Sequence, residues 1–118
     1  MLVKRSLRVA EVIKKDLSDI LREDVRDPGI NMLTITRVIV SPDLKMAKIY
    51  LSILGDASAR EETLQALERA KSFIRTALGK RGQFRNVPEL RFFHDDTMDY
   101  VFAIENLIQK AKEKDEIG

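Results

Sequence analysis

The hydrophobic period changes four times along this chain, from helical to strand-like and back twice, and that succession restricts the fold more than any other feature. From about Ser6 to Asp27, Val9, Ile13, Leu17, Ile20 and Leu21 recur three or four apart, and Pro28-Gly29 supplies a stop, which predicts a long amphipathic helix. The run LTITRVIV through Val40, a Ser41-Pro42-Asp43 turn, and MAKIYLSIL with Ala47, Ile49, Leu51 and Ile53 alternating against Lys48, Tyr50, Ser52 and Leu54 predict an antiparallel hairpin. Residues Gly55 to Ser58 read as a loop, and Leu64, Leu67, Ile74, Ala77 and Leu78 place one side of a helix from Arg60 to the stop at Gly79 and Gly82. After Val87-Pro88, the strand LRFFH sets Leu90, Phe92 and His94 on one face and Arg91 and Phe93 on the other; a leading proline suits an edge strand. A last helix from about Met98 to Lys112 repeats Val101, Ile104, Leu107, Ile108 and Ala111 as a packing stripe.

Helix, strand, strand, helix, strand, helix is an α+β order with helices on one face of a small mixed sheet. One domain, residues 1–112, accounts for all of it, with residues 113–118 a charged, solubilising and frayed tail. A chain of 118 residues is long enough to hold a core without disulfides or metal, and it contains no cysteine. No apolar run approaches the roughly 20 residues of a membrane span. The first residues, MLVKRSLRV, lack the apolar segment of a secretory signal, so a cytoplasmic location is expected.

Charge is segregated along the chain although the net is only +2. Residues 1–15 carry +4 (five basic, one acidic), residues 16–68 carry −4 (six basic, ten acidic), residues 69–91 carry +6 (seven basic, one acidic) and residues 92–118 carry −4 (three basic, seven acidic). Solvated helix faces account for such alternation about as readily as a functional surface does. The sharper reading is one basic face built from both positive segments: Lys4, Arg5 and Arg8 at the start of the first helix, and Lys71, Arg75, Lys80, Arg81 and Arg85 on or beside the second. A folded cationic surface of this kind points to nucleic acid.

The order also resembles a type II KH domain, which clamps single strands beside a GXXG loop between two helices. Gly79-Lys80-Arg81-Gly82 matches that motif literally, but only Gln83 to Glu89 separate it from the next strand, leaving no room for the helix a clamp requires. A bend at Ala70-Lys71-Ser72 is the better joint, because a straight helix puts Lys71 among the apolar stripe; the competing reading is a straight helix whose Lys71 snorkels at the stripe's edge. Beyond a bend, Phe73, Ile74, Ala77 and Leu78 form the buried arc, while Lys71 and Arg75 pair on the open side as phosphate contacts and Lys80 also lies off the arc.

Further residues sharpen the comparison: Arg5-Ser6-Leu7-Arg8-Val9, Asp27-Pro28, Leu33-Thr34-Ile35-Thr36, Ser41-Pro42-Asp43-Leu44, Ala47-Lys48-Ile49-Tyr50-Leu51-Ser52, Phe73-Ile74-Arg75 and Leu78-Gly79-Lys80. They are followed by Arg85, Val87-Pro88-Glu89-Leu90-Arg91-Phe92, Asp95-Asp96, and Ile104 with Leu107-Ile108. In this order and over essentially the whole chain, they resemble the bacterial ribosome-binding factor A family. The resemblance implies a KH-like fold in which a helix-kink-helix centred on Ala-x-Gly replaces the GXXG loop; here Ser72 stands at the third position, implying a shallower kink. It further implies a non-catalytic, monomeric assembly factor without cofactors, bound to the small (30S) ribosomal subunit and its 16S rRNA. In that role it assists late maturation of the rRNA 5′ region and growth in the cold, and assembly GTPases or mature-subunit binding prompt its departure.

If about six of the basic residues neutralise phosphates on unpaired RNA, log K falls against log salt with a slope near −4. Sequence readout is expected to be modest, since the aromatics are two tyrosines and five phenylalanines, most of them read as core. Arg37 and Lys48 fall on sheet positions, where Arg37 either is solvated or extends the basic face, and Met32, Met46 and Met98 read as packing residues. His94-Asp95-Asp96 after a strand invites an acid/base or metal reading, but a lone histidine without a nucleophile completes no catalytic constellation; a strand end with Asp95 or Asp96 capping the next helix is the simpler account. The rival of another class is a protein-interaction module whose basic face docks an acidic partner without touching RNA.

Overall fold

The computed structural model describes residues 2–25, 30, 32–82 and 84–117, with the backbone course alone given for residues 2, 3, 98–100, 102 and 114–117. Its elements are α1 (Leu2–Glu23), β1 (Leu33–Val40), β2 (Met46–Ile53), α2 (Ala57–Lys80), β3 (Glu89–His94) and α3 (Thr97–Ile117). The sheet order is β1-β2-β3, with β1 antiparallel and β3 parallel to β2. A parallel neighbour requires a crossover, and α2 provides it. The α+β, type II KH-like order read from the periodicity is therefore present.

Alternation in β2 sends Ala47, Ile49, Leu51 and Ile53 to the core, where they meet Ile13, Leu17 and Ile20 of α1, Leu67, Ile74 and Leu78 of α2, and Leu90 and Phe92 of β3. In β1 the alternation is re-phased by a bulge between Ile35 and Arg37, so that Ile35, Val38 and Val40 all register against core-facing residues of β2. Thr36, left out of the ladder, turns its hydroxyl to Asp95 Oδ2 at 2.6 Å. The β1–β2 turn closes through Ser41 N to Met46 O and Leu44 N to Ser41 O, both 2.9 Å, with Leu44 held at φ 62°, a left-handed conformation that a branched residue seldom adopts.

Local signals set the helix ends. Gly55 sits at φ 124°, and a Cβ there would lie 2.7 Å from Ala59 Cβ, so this tight entry requires glycine. Asp56 then caps α2 by accepting from Ala59 N at 2.9 Å, which starts the helix at Ala57 rather than at Arg60. At the other end Gly79 and Lys80 belong to α2, Arg81 is its C-cap, and Gly82 at φ 73° accepts the left-handed turn, so the GXXG match is a helix terminus. α1 ends at Glu23, four residues before the expected end at Asp27, and the stop at Pro28-Gly29 lies outside the described residues.

Two expectations about packing change. Phe73, placed in the buried arc, is 52% exposed, whereas its neighbour Ile74 is fully buried. The stripe of α3 contributes nothing to the core: Val101, Ile104, Leu107 and Ile108 are all exposed, and the helix runs on through residues 113–117. A radius of gyration of 17.8 Å, against about 13.5 Å for a compact domain of this length, reflects this outlying helix. Met32 is exposed as well, Met46 is half-buried, and the side chain of Met98 is outside the described set.

Asp95 joins β3 to α3. Its Oδ1 accepts from the Thr97 hydroxyl at 2.6 Å and the Thr97 amide at 3.0 Å, while Oδ2 holds Thr36. Donation from Thr36 first, then Thr97, lowers the pKa of Asp95 to about 2 from an ordinary 3.8. A carboxyl depressed on folding stabilises the fold fully above the unfolded value and loses that contribution as pH falls through the folded one. The stability gap between the parent and Asp95→Asn should accordingly shrink as pH is lowered from 5 to 2, measured by urea unfolding at each pH.

Candidate nucleic-acid interface

The N-terminal end of α1, the C-terminal side of α2, the β1–β2 turn and the segment entering β3 surround one cleft of about 560 Å³. Into it come Arg5 from the first basic segment and Arg75 and Arg85 from the second, with Lys45 from the turn; Asp43 and Glu89 are its acids. Four cations against two carboxylates make an anion-attracting concavity, walled by Val9, Leu44, Phe84 and Pro88. Asp43 stays ionised, because the Ser41 hydroxyl at 2.6 Å and the Lys45 amide at 3.0 Å donate to its Oδ1 and hold its pKa below the usual value. The left-handed Leu44 also lines this cleft, and such outliers concentrate at binding sites.

The eight basic residues singled out in the sequence separate into two groups. Lys4, Arg5, Arg8, Lys80 and Arg85 are exposed. Lys4 and Arg8, one helical turn apart, share an exposed stripe of α1 outside the cleft, and Lys80 ends α2 without lining it. The other three are engaged within the protein. Lys71 pairs with Glu68 at 2.8 Å and lies 5.8 Å above the Phe92 ring, so its ammonium snorkels at the edge of the apolar stripe instead of joining Arg75. Arg81 reaches Asp16 at 3.8 Å and Asp19 at 3.7 Å, tying the end of α2 to α1. Arg75 donates from Nε to Pro88 O at 3.2 Å and from Nη2 to Val87 O at 2.8 Å, fixing the strand-entry segment that forms the cleft's rim.

Arg75, though exposed and off the buried arc, is therefore a poor residue on which to test binding alone, since its loss also frees the rim. Helix α2 is continuous through Ala70, Lys71 and Ser72. Lys45 is the cleft cation that the sequence pattern did not single out: it belongs to the net-acidic segment, and only the hairpin turn carries it to the basic residues. Of the remaining candidates, His94 ends β3 beside Leu51, and Asp95 is committed to Thr36 and Thr97, which makes that run a strand end and helix start.

Comparisons with known proteins bear on this arrangement. A family model described as ribosome-binding factor A matches residues 5–108. Ribosome-binding factor A of Staphylococcus carnosus is 46% identical over 111 residues, covering 94% of this chain and 96% of the relative. The crystal structure of ribosome-binding factor A from Thermus thermophilus superposes with a TM-score of 0.68 at 26% identity, over 75% of this chain and 93% of that one. A Thermus thermophilus RbfA homology model fitted into the cryo-EM map of a 30S–RbfA complex aligns with a TM-score of 0.60 at 27% identity, over 71% and 88%. With the family model reaching from Arg5 in the first basic segment through the second, and so across the cleft between them and the strands that carry it, the chain belongs to the ribosome-binding factor A family.

Proposed function

We propose that this protein binds the small ribosomal subunit by seating 16S rRNA on the basic cleft and its surroundings, and that it acts there as a non-catalytic factor in late maturation of the rRNA 5′ region. The observation that carries the reading is the convergence of Arg5, Arg75, Arg85 and Lys45 from separate parts of the chain on one concave site. Phosphate is the ligand this geometry favours, because guanidinium groups present paired donors to its oxygens and Lys45 adds a point charge. Membership of the family and the 30S complex formed by the Thermus relative support the small subunit as the source of that phosphate.

Arg5, Arg85, Lys45, Lys80, Lys4 and Arg8 contact RNA; Arg75 positions the rim and Arg81 locks α2 to α1. The factor works as a monomer in the cytoplasm, and a further assembly factor such as a GTPase prompts its release. Co-sedimentation with purified subunits tests the reading: saturable binding to small subunits and none to large ones is expected. Equal retention on both would reduce the protein to a general electrostatic binder.

A further inference from the structure

The face of the sheet turned away from α1 and α2 is neither covered by them nor evenly polar. The register places Arg37, Tyr50 and Phe93 in one row across β1, β2 and β3, and Ile39, Lys48 and Arg91 in the next. Tyr50 and Phe93 stack with centroids 5.4 Å apart and 27° between planes, and the Arg37 guanidinium lies 4.7 Å above the Tyr50 ring. Phe93, Arg37, Lys48 and Arg91 are exposed. Lys48 and Arg91 are neighbours across the parallel strands, a placement in which like charges repel; Glu89 offsets it through an exposed contact 3.7 Å from Arg91. Local features that oppose folding are expected where a ligand uses them.

We infer that this face is a second RNA surface, on which bases of an unpaired strand stack over Tyr50 and Phe93 while Arg37, Lys48 and Arg91 meet its phosphates. Aromatic rings on a sheet flanked by cations suit single strands, whose exposed bases offer π-faces and whose backbone offers charge. Continuity supports the same ligand as the cleft: Glu89 borders the cleft, and Arg91 lies two residues along the same edge strand, roughly 7 Å away. The inference rests on the RNA-binding reading above and extends it to the opposite side of the domain.

Only Tyr50 and Tyr100 fluoresce strongly in this tryptophan-free chain, so Tyr100→Phe in the full-length protein leaves Tyr50 as the reporter. The probe is a labelled, unstructured ten-nucleotide RNA, followed by anisotropy and by Tyr50 emission, with free tyrosine as the absorbance control. Saturable quenching with the anisotropy midpoint is expected. Phe93→Leu should weaken binding about tenfold, the scale of a lost stacking contact, and Lys48→Gln with Arg91→Gln should flatten the salt slope by about 1.4. Should Phe93→Leu fail to fold, Arg37→Gln takes its place with the same expected direction. Binding that leaves Tyr50 emission unchanged, no binding at low salt, or variants matching the parent would each overturn the proposal. If Arg5→Glu with Arg85→Glu binds subunits normally while Tyr50 is still quenched, the cleft assignment fails and this one stands.

Discussion

Ile74→Asp is expected to abolish the folded state. Ile74 is fully buried on α2, in one cluster with Leu67, Leu78 and the inward faces of β2 and β3. An aspartate there either ionises without a partner or takes up a proton at a large cost, and both routes remove several kcal/mol from a fold whose total stability is on the order of 5–15 kcal/mol. Ile74→Val, which only trims a methyl group, should cost about 1 kcal/mol and lower Tm by a few degrees. Phe73→Asp, one residue earlier but half-exposed, should keep the helical circular-dichroism signal and a cooperative melt. A cooperatively melting Ile74→Asp protein would contradict the placement of α2 against the sheet.

The second large effect concerns binding. Arg5→Glu with Arg85→Glu reverses two cleft cations that have no role in the core, since both are exposed and outside the buried cluster. A charge-assisted contact contributes roughly 1.5–3 kcal/mol, so losing two should weaken small-subunit binding by roughly 100- to 10,000-fold while Tm stays near that of the parent. Equilibrium titration of labelled protein with small subunits, paired with thermal melts, reads both quantities. Affinity within a few-fold of the parent would remove the cleft from the account. These positions are cleaner reporters than Arg75, whose two bonds to Val87 and Pro88 would be broken at the same time.

Much of the architecture was legible because burial on one face imposes a period on the sequence. The β2 alternation, the Leu67-Ile74-Leu78 row and the Ser41-Pro42-Asp43 turn all specify their partners through side-chain direction. Other features lay beyond periodicity. A bulge at Thr36 shifts phase without any composition signal, and Asp56 advances the start of α2 through a capping bond rather than a hydrophobic residue. The stripe on α3 shows that a helix is amphipathic; it does not say that the same chain covers it, and here Val101, Ile104, Leu107 and Ile108 face outward.

The site was legible as charge and less so as geometry. Segregation of positive residues anticipated that the two basic segments would form one surface, and Arg5 and Arg85 do line one cleft. Which cations are available is a matter of neighbours distant in sequence or on the adjacent turn. Asp16 and Asp19 occupy Arg81, Glu68 occupies Lys71, and two backbone carbonyls occupy Arg75. Lys45 enters only because the hairpin turn delivers it.

Salt dependence of small-subunit binding separates docking on RNA from docking on protein. With about six available cations of the cleft and its surroundings at phosphates of unpaired RNA, co-sedimentation across a potassium chloride series should give log K against log salt with a slope near −4, steepening to about −6 where the three sheet-face cations engage as well, while large subunits show no saturable binding at any salt. A slope near zero with affinity retained would mean that the protein docks through protein contacts, and the assignment of the cleft to RNA would be wrong.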